Sequence, residues 1–403
     1  MNAKIRHISL IAGAALALTA CSSDEPGVTA TDGLITFRVA VGADDAASSR
    51  CGQENRTQLP TYEVTTDNMG TTLNHIRLRM LKSGTNESVF TSSDNVEWLM
   101  PQGSGPWTSA DAWYIHSGTK YYWKDAGASV DLFALASNAT GCDGNDWTPL
   151  LQKNDAGEIY GWVKVENQRH PIDILYGSTL NFPAPTGSDG SIGITLNHAM
   201  TKVTFDVCNT DRDLKVEITD VRLDNVHQGG NFYIKHNRSD LHAGLWEPNG
   251  TRVTMINGVD GNPMLAPVTL DGETGTQVLK FKDNSDGTRG TNQDFMFLAI
   301  PHRLAVWSKD QTSVSVMMVK CRVTKKSSGQ VIYDSDTAST WVYLPLTPGS
   351  EPYDWLPGKQ YRYSLTFGKG AGFDGYGNKI LVPLSLRATV VPFTTVDMNI
   401  PVS

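Results

Sequence analysis

From Ile380 to Val402 every second residue is apolar, with two exceptions, Pro392 and Thr394. Side chains of an extended chain alternate between two faces, whereas those of a helix return to one face every three or four residues. A period of two held this long covers about four ordinary strand lengths. The segment is therefore committed to β structure. Pro392 divides it, because proline has no N–H to give to a ladder and avoids the interior of a central strand. The reading is a proximal strand in the molecule's own sheet and a distal strand from Thr394 to Ser403. At about 3.3 Å per residue, the last ten residues reach roughly 33 Å. The other reading pairs both strands at home and ends in a plain edge strand.

Shorter versions of the pattern recur along the chain. Ile35, Phe37, Val39 and Val41 alternate with Thr36 and Arg38 in a first strand, Leu34 to Gly42. His75 to Leu81, Ile172 to Gly177, Lys215 to Leu223, Phe295 to Ile300, Ser313 to Val323 and Gln360 to Phe367 read the same way. Lys120 to Trp123 and Val130 to Ala136 read as a strand pair turned at Asp125-Ala126-Gly127. No window of a dozen residues carries a capped helical pattern, so helices should be few and short. The chain has 403 residues, enough for two or three domains, and 37 Gly with 19 Pro favour turns. Pro183 to Gly190 is the best linker. It divides an N-terminal domain, 34–190, from a C-terminal domain, 191–392, with 393–403 set apart. Many short strands between turns point to an all-β fold of two β-sandwiches.

The N-terminus has a different chemistry. Lys4, Arg6 and His7 precede a compact apolar run from Ile8 to Leu18, the size of a signal-peptide core and short for a bilayer span. It ends in Leu18-Thr19-Ala20-Cys21. Small residues before a cysteine resemble a bacterial lipoprotein cleavage box, so residues 1–20 read as a signal and Cys21 as the lipidated first residue. An ordinary cleaved signal with an incidental cysteine is the alternative. Each buried CH₂ of an acyl chain contributes about 0.8 kcal/mol, so several chains on one cysteine anchor stably. Residues 21–33 begin with polar, flexible Ser22 to Gly27 and suit a tether. Four cysteines follow, Cys51, Cys142, Cys208 and Cys321, none in C-x-x-C spacing, which disfavours zinc and redox motifs. Three disulfide connectivities are open. Cys51 and Cys142 lie in polar loops and are the better pair, while Cys208 and Cys321 sit in apolar runs as buried small side chains.

Other function classes find little support. A net charge of −8 without a basic block argues against nucleic acid. No G-x-S-x-G, H-E-x-x-H or phosphate-binding loop occurs, and no two carboxylates can be paired as acid and base. No catalytic residue, cofactor or metal is assigned. His198 reads as a core or strand-end histidine. His227, His236 and His242 with Asp240 make a weak metal signal in a Gly/Asn-rich stretch. Trp98, Trp107, Trp113 and Trp147 could line a glycan platform or fill a core.

Taken in order, several segments resemble the fimbrillins, the type V pilins of Bacteroidales. They are the signal ending at Cys21, Leu34-Ile35-Thr36-Phe37, Tyr122-Trp123, Phe133-Ala134 and Leu196 to Phe205. The later ones are Trp355 to Leu365 and Val390-Val391-Pro392-Phe393. Acidic Asp24 and Glu25 after the cysteine resemble surface-export signals of Bacteroidota. The resemblance covers most of the mature chain. It implies two β-sandwich domains of transthyretin-like or Greek-key type and no enzymatic activity. It also implies a pilus subunit that reaches the outer membrane as a lipoprotein, loses its first strand to an Arg-specific protease, and accepts a neighbour's C-terminal strand in the vacated groove.

Carried onto this chain, the removable strand holds Ile35, Phe37, Val39 and Val41. Arg50, in a small polar loop after it, is the cleavage candidate, with Arg38 and Arg56 weaker; Cys51 after Arg50 departs from the small residue usual there. The donor strand holds Val396, Met398, Ile400 and Val402. Head-to-tail contacts that do not close make a filament. The implied partners are other pilin subunits, in a homo- or hetero-polymer, the outer membrane, the processing protease, and a host or glycan ligand. The implied location is the outer membrane and the cell-surface fimbrium. A stalk subunit fits the long C-terminal alternation. An anchor, a tip subunit, and a monomeric surface lipoprotein binding glycans or host proteins are the alternatives.

Overall fold

The structure is a computed structural model. It describes residues 33–41, 73, 76–93, 95–101, 112–138, 151–165, 171–185, 191–242, 244–248, 251–259, 262–282, 293–306, 314–347, 352–368, 372 and 384–392. Among these the chain is nearly all β, with two one-turn helices.

The first assembly uses β1 (Thr36–Val41), β2 (Ile76–Lys82), β3 (Glu97–Pro101), β4 (Ala112–Ile115) and β5 (Ser129–Ser137), with α1 (Trp123–Ala126) before β5. The chain then makes β6 (Leu151–Lys153) and β7 (Ile159–Lys164), which leave for another sheet, and returns as β8 (Ile174–Pro183) and β9 (Ser191–His198). The order β1-β4-β3-β2-β5-β8-β9 closes on itself as a barrel. Closure removes the exposed edges that an open sheet would present. Its interior is one apolar cluster that includes Phe37, Val39, Leu78, Leu99, Trp113, Leu132, Ile192 and Ile194.

Two local readings change here. Lys120 to Trp123 is not a strand. Tyr122 makes a single bridge to Leu34, and Trp123 to Ala126 form the helical turn α1. Trp123 and Ala126, three apart and both buried, share one face of that turn, and Gly127 ends it at φ 89°. The second change concerns β9. The linker reading put Ser191 onward with the second domain, yet β9 pairs with β1 and β8, and its Ile192, Ile194 and Leu196 are buried in the barrel. The chain crosses to the next sheet at Ala199 and Met200, which join the second core.

That core begins with β10 (Thr201–Asn209), β11 (Leu214–His227), β12 (Gly229–Lys235), β13 (Trp246–Pro248) and β14 (Arg252–Met255). Short β15 (Gly258–Val259) and β16 (Asn262–Pro263) lead to β17 (Val268–Asp271), β18 (Thr274–Val278), β19 (Met296–Ala299) and β20 (Arg303–Leu304). Then come β21 (Val316–Lys325), β22 (Gln330–Asp334), α2 (Ser335–Ala338), β23 (Val342–Pro345) and β24 (Tyr353–Asp354). The described chain ends in β25 (Lys359–Phe367) and β26 (Leu384–Pro392).

One sheet runs β18-β10-β25-β26 with β19 also on β10; another runs β14-β11-β21-β22 with β17 on β11 and β23 on β21. They share a core in which the Phe205 ring lies near Phe295, Phe297 and Tyr363. A third sheet, β13-β12-β7-β6, carries β6 and β7 across to β12 and adds Leu151, Ile159 and Val163 to the same core. Cys321 is a buried free thiol on β21, pushed up to about 12 by burial, and Cys208 is a half-buried free thiol on β10. Cys51 and Cys142 lie outside the described residues.

Candidate functional site

The segment that sequence singles out as removable is β1. Alternation turns Ile35, Phe37, Val39 and Val41 inward, where each is 5% exposed or less. The odd positions fill the barrel; Arg38, on the other face, is exposed. β1 runs parallel to β9 over six rungs, from Thr36–Ser191 to Val41–Leu196. On its other side it meets β4 antiparallel, with Phe37–Trp113 and Arg38–Ala112 the rungs among the described residues.

Polar contacts lace in the start of the strand. The Ile35 amide donates to the Tyr121 carbonyl at 2.9 Å, and the Trp123 amide donates to the Gly33 carbonyl at 3.1 Å. The Thr36 and Ser191 hydroxyls lie 2.6 Å apart. Tyr121 packs on Phe90 and donates its hydroxyl to Glu97 at 2.7 Å; burial, then this carboxylate, raises its pKa.

β9 depends on β1. Its only other ladder partner among the described strands is β8, at Leu175–His198 and Tyr176–Asn197. Farther along, a Cβ on Gly177 would come within 2.6 Å of the Thr195 carbonyl oxygen, so the absent side chain lets β8 approach β9. Without β1 the barrel would open at two strand edges and uncover the apolar row that β1 now seals. Two open edges flanking an apolar row are the general geometry of strand addition, by main-chain pairing and alternate side-chain pockets. The partner role of β9 was not read from sequence. Its Ile192-Ile194-Leu196 alternation was visible, but alternation does not say which sheet a strand joins.

At the other end of the chain, β26 pairs with β25 over nine rungs, Lys359–Pro392 to Phe367–Leu384. β26 is the terminal strand in its sheet order. The even positions face the core: Leu384 and Ala388 are buried, and Leu386 and Val390 pack partly against it. β26 is described as far as Pro392, the residue at which the sequence reading divides proximal from distal; 393–403 lie outside the described residues.

Cys21, Arg50, Val396, Met398, Ile400 and Val402 lie outside the described residues. Arg56, Trp107, Trp147 and the Trp98 side chain likewise lie outside what is described, while the candidate histidines have local structural partners. His198 Nδ1 is 3.0 Å from the Asp173 carboxylate, both buried. His242 Nε2 is 2.9 Å from the Trp355 carbonyl oxygen, His236 bonds the Gly244 carbonyl, and Asp240 pairs with Arg238. The His227 ring packs on His302 at 4.9 Å. No group of metal-ligating side chains occurs among the described residues. Trp113 is wholly buried in the barrel, which places it in the core and off the surface.

A family model described as fimbrillin-like matches residues 63–389. Among curated proteins, the side tail fiber protein pb1 of Escherichia phage T5 is 24% identical over 221 residues. That match spans 54% of this chain and only 15% of the phage protein. Among solved structures, a candidate cell adhesion protein of Bacteroides eggerthii has a TM-score of 0.45 at 11% identity, covering 91% of this chain and 97% of that one. The C-terminally truncated tip fimbrial protein Mfa3 of Porphyromonas gingivalis has a TM-score of 0.33 at 12% identity, covering 90% and 99%.

Proposed function

The chain belongs to the fimbrillin-like family, structural and non-enzymatic proteins of the cell-surface fimbrium, and from that premise we propose that it is a pilus subunit exported as a lipoprotein through Cys21 and joined to its neighbours by strand exchange at β1. The observation that carries this reading is the form of β1: a strand apolar on one face that closes the barrel between β9 and β4 and seals its apolar interior.

Magnitudes explain why cutting is needed. Burying Ile35, Phe37, Val39 and Val41 contributes roughly 6–12 kcal/mol as an upper estimate, at about 1.5–3 kcal/mol per side chain. A donor strand presenting Val396, Met398, Ile400 and Val402 offers about the same. Main-chain hydrogen bonds add about 1 kcal/mol each, net, to either strand. Exchange is therefore nearly balanced, and a tethered β1 keeps the advantage of being intramolecular. Cleavage at Arg50 removes the tether, so β1 can leave and a neighbour's tail can take its place. The surface-exposed apolar seam then repeats head to tail and builds an open filament. Adhesion follows from the assembled fimbrium.

Two variants test this in cells that assemble the fimbrium. Arg50→Ala should leave a larger, monomeric precursor. Deleting residues 394–403 should abolish the ladder of polymers seen on electrophoresis without boiling, while the processed monomer persists. Undiminished ladders from the deletion would refute strand donation. A surface-assembled protein that still begins at lipidated Cys21 would make it an anchor.

A further inference from the structure

The sheet β13-β12-β7-β6 has one face on the core, where Ile159, Val163, Phe232 and Trp246 are buried. Its outer face holds a single rung across three strands: Trp162 on β7 lies beside Asn231 on β12, and Asn231 beside Glu247 on β13. The adjacent rung sets Tyr160 against Tyr233, rings stacked with centroids 5.3 Å apart. Trp162 is 41% exposed, whereas Trp113, Trp123, Trp246 and Trp355 are hidden. Gly229 makes room for it. A Cβ there would come within 3.1 Å of the Trp162 ring, so the bare backbone lets the indole lie down across the sheet.

The polar groups beside the indole are already held in place. Glu247 accepts from Asn231 Nδ2 at 3.1 Å, from the Tyr233 hydroxyl at 3.1 Å and from Arg238 at 2.7 Å. Arg238 also donates to the Tyr233 hydroxyl at 2.9 Å and pairs with Asp240. The Arg238 bond, first among these, holds the Glu247 carboxyl near 2, so it is an anionic acceptor throughout the physiological range. With Nδ2 given to Glu247, Asn231 keeps its amide oxygen as an acceptor.

An apolar ring face bordered by fixed hydrogen-bonding groups complements a pyranose, which has a C–H face and a rim of hydroxyls. We propose that this face binds a neutral pyranose residue of a glycan, stacked on Trp162 and hydrogen-bonded through Asn231 and Glu247. A net charge of −8 without a basic block disfavours nucleic acid. Among the described residues Trp162 is the one exposed large apolar side chain of this sheet; Leu34, Tyr114, Leu180 and Val331 lie outside it. The site lies away from β1 and does not rest on strand exchange.

Saturation-transfer NMR of the full chain with lactose, N,N′-diacetylchitobiose and methyl α-D-mannopyranoside tests it. At least one sugar should receive saturation at its ring C–H protons. Its Kd should rise tenfold or more in Trp162→Ala and severalfold in Asn231→Ala, and Trp162→Phe should recover part of the loss, all with an unchanged unfolding midpoint. No transfer to any of the three, or binding that survives Trp162→Ala, overturns the proposal. So does a Trp162→Ala variant that changes the polymer ladder in a protein that binds none of the sugars, since the face would then be a subunit contact.

Discussion

β1 and β26 are both short alternating strands near the ends of the described chain, and they are built into their sheets in opposite ways. β1 is a closing stave with a neighbour on each side, β9 along six rungs and β4 at Phe37 and Arg38 among the described residues. Among the described strands β26 is a sheet terminus, with nine rungs to β25. Taking β1 away opens a core. Taking β26 away trims an edge. The difference teaches which end of the molecule can accept a foreign strand: an acceptor needs a sealed apolar row with two partners waiting, and β1 occupies such a place.

The sharpest way to break this comparison is deletion. Removing residues 34–41 should abolish cooperative unfolding of the barrel, since roughly 6–12 kcal/mol of side-chain burial is lost. Adding a synthetic peptide of residues 394–403 should restore the transition in circular dichroism. Failure of rescue would mean the tail does not fit the seam. Removing 394–403 itself should leave the monomer's unfolding midpoint unchanged.

Single substitutions grade the contrast. Phe37→Ala, at 1% exposure, should cost about 3–5 kcal/mol in urea unfolding, because the cavity cannot collapse between two paired strands. Leu386→Ala, only half-buried on β26, should cost about 1–2 kcal/mol. Equal losses would erase the distinction between stave and edge. Gly177→Ala should cost about 1–3 kcal/mol by pushing Thr195 and β9 outward, and should raise the yield of polymer by loosening the seam around β1.

Much of this is legible in the amino-acid sequence. The inward row Ile35, Phe37, Val39, Val41 followed from period two alone, and so did the inward even positions Leu384 and Ala388 of β26. What stayed hidden depends on partners. Ser191 to His198 alternates as well as any strand, and only register shows that it lies beside β1. The aromatic run ending at Trp123 favours a strand, yet Trp123 and Ala126 pack on one face of a helical turn. The outer face of β7 was missed, although inward Ile159, Gly161 and Val163 leave Tyr160, Trp162 and Lys164 outward in the same alternation.

Acid distinguishes the second core. Burial, the leading cause, holds His302 near pKa 3 against an ordinary 6.5. Its Nδ1–H donates to the Ile300 carbonyl at 2.8 Å, and Trp355 packs on the ring. The unfolded chain therefore takes up the proton first. The stability is whole above pH 6.5 and falls as pH drops toward 3, by at most about 1.4 kcal/mol per unit. Urea midpoints at pH 7 and pH 4.5 should differ less in His302→Gln than in the native protein. The smallest effect belongs to Trp162→Ala, which should stay within about 0.5 kcal/mol of the native stability because the ring is at the surface.

The most direct test places a benzophenone amino acid at position 193 on β9, beside Arg38 of β1, where a Cβ meets nothing within 4 Å. After irradiation of assembled fimbriae, peptide mass spectrometry should find position 193 joined to residues 394–403 of another subunit. Joining to residues 34–41 of the same chain in the assembled form would contradict the account.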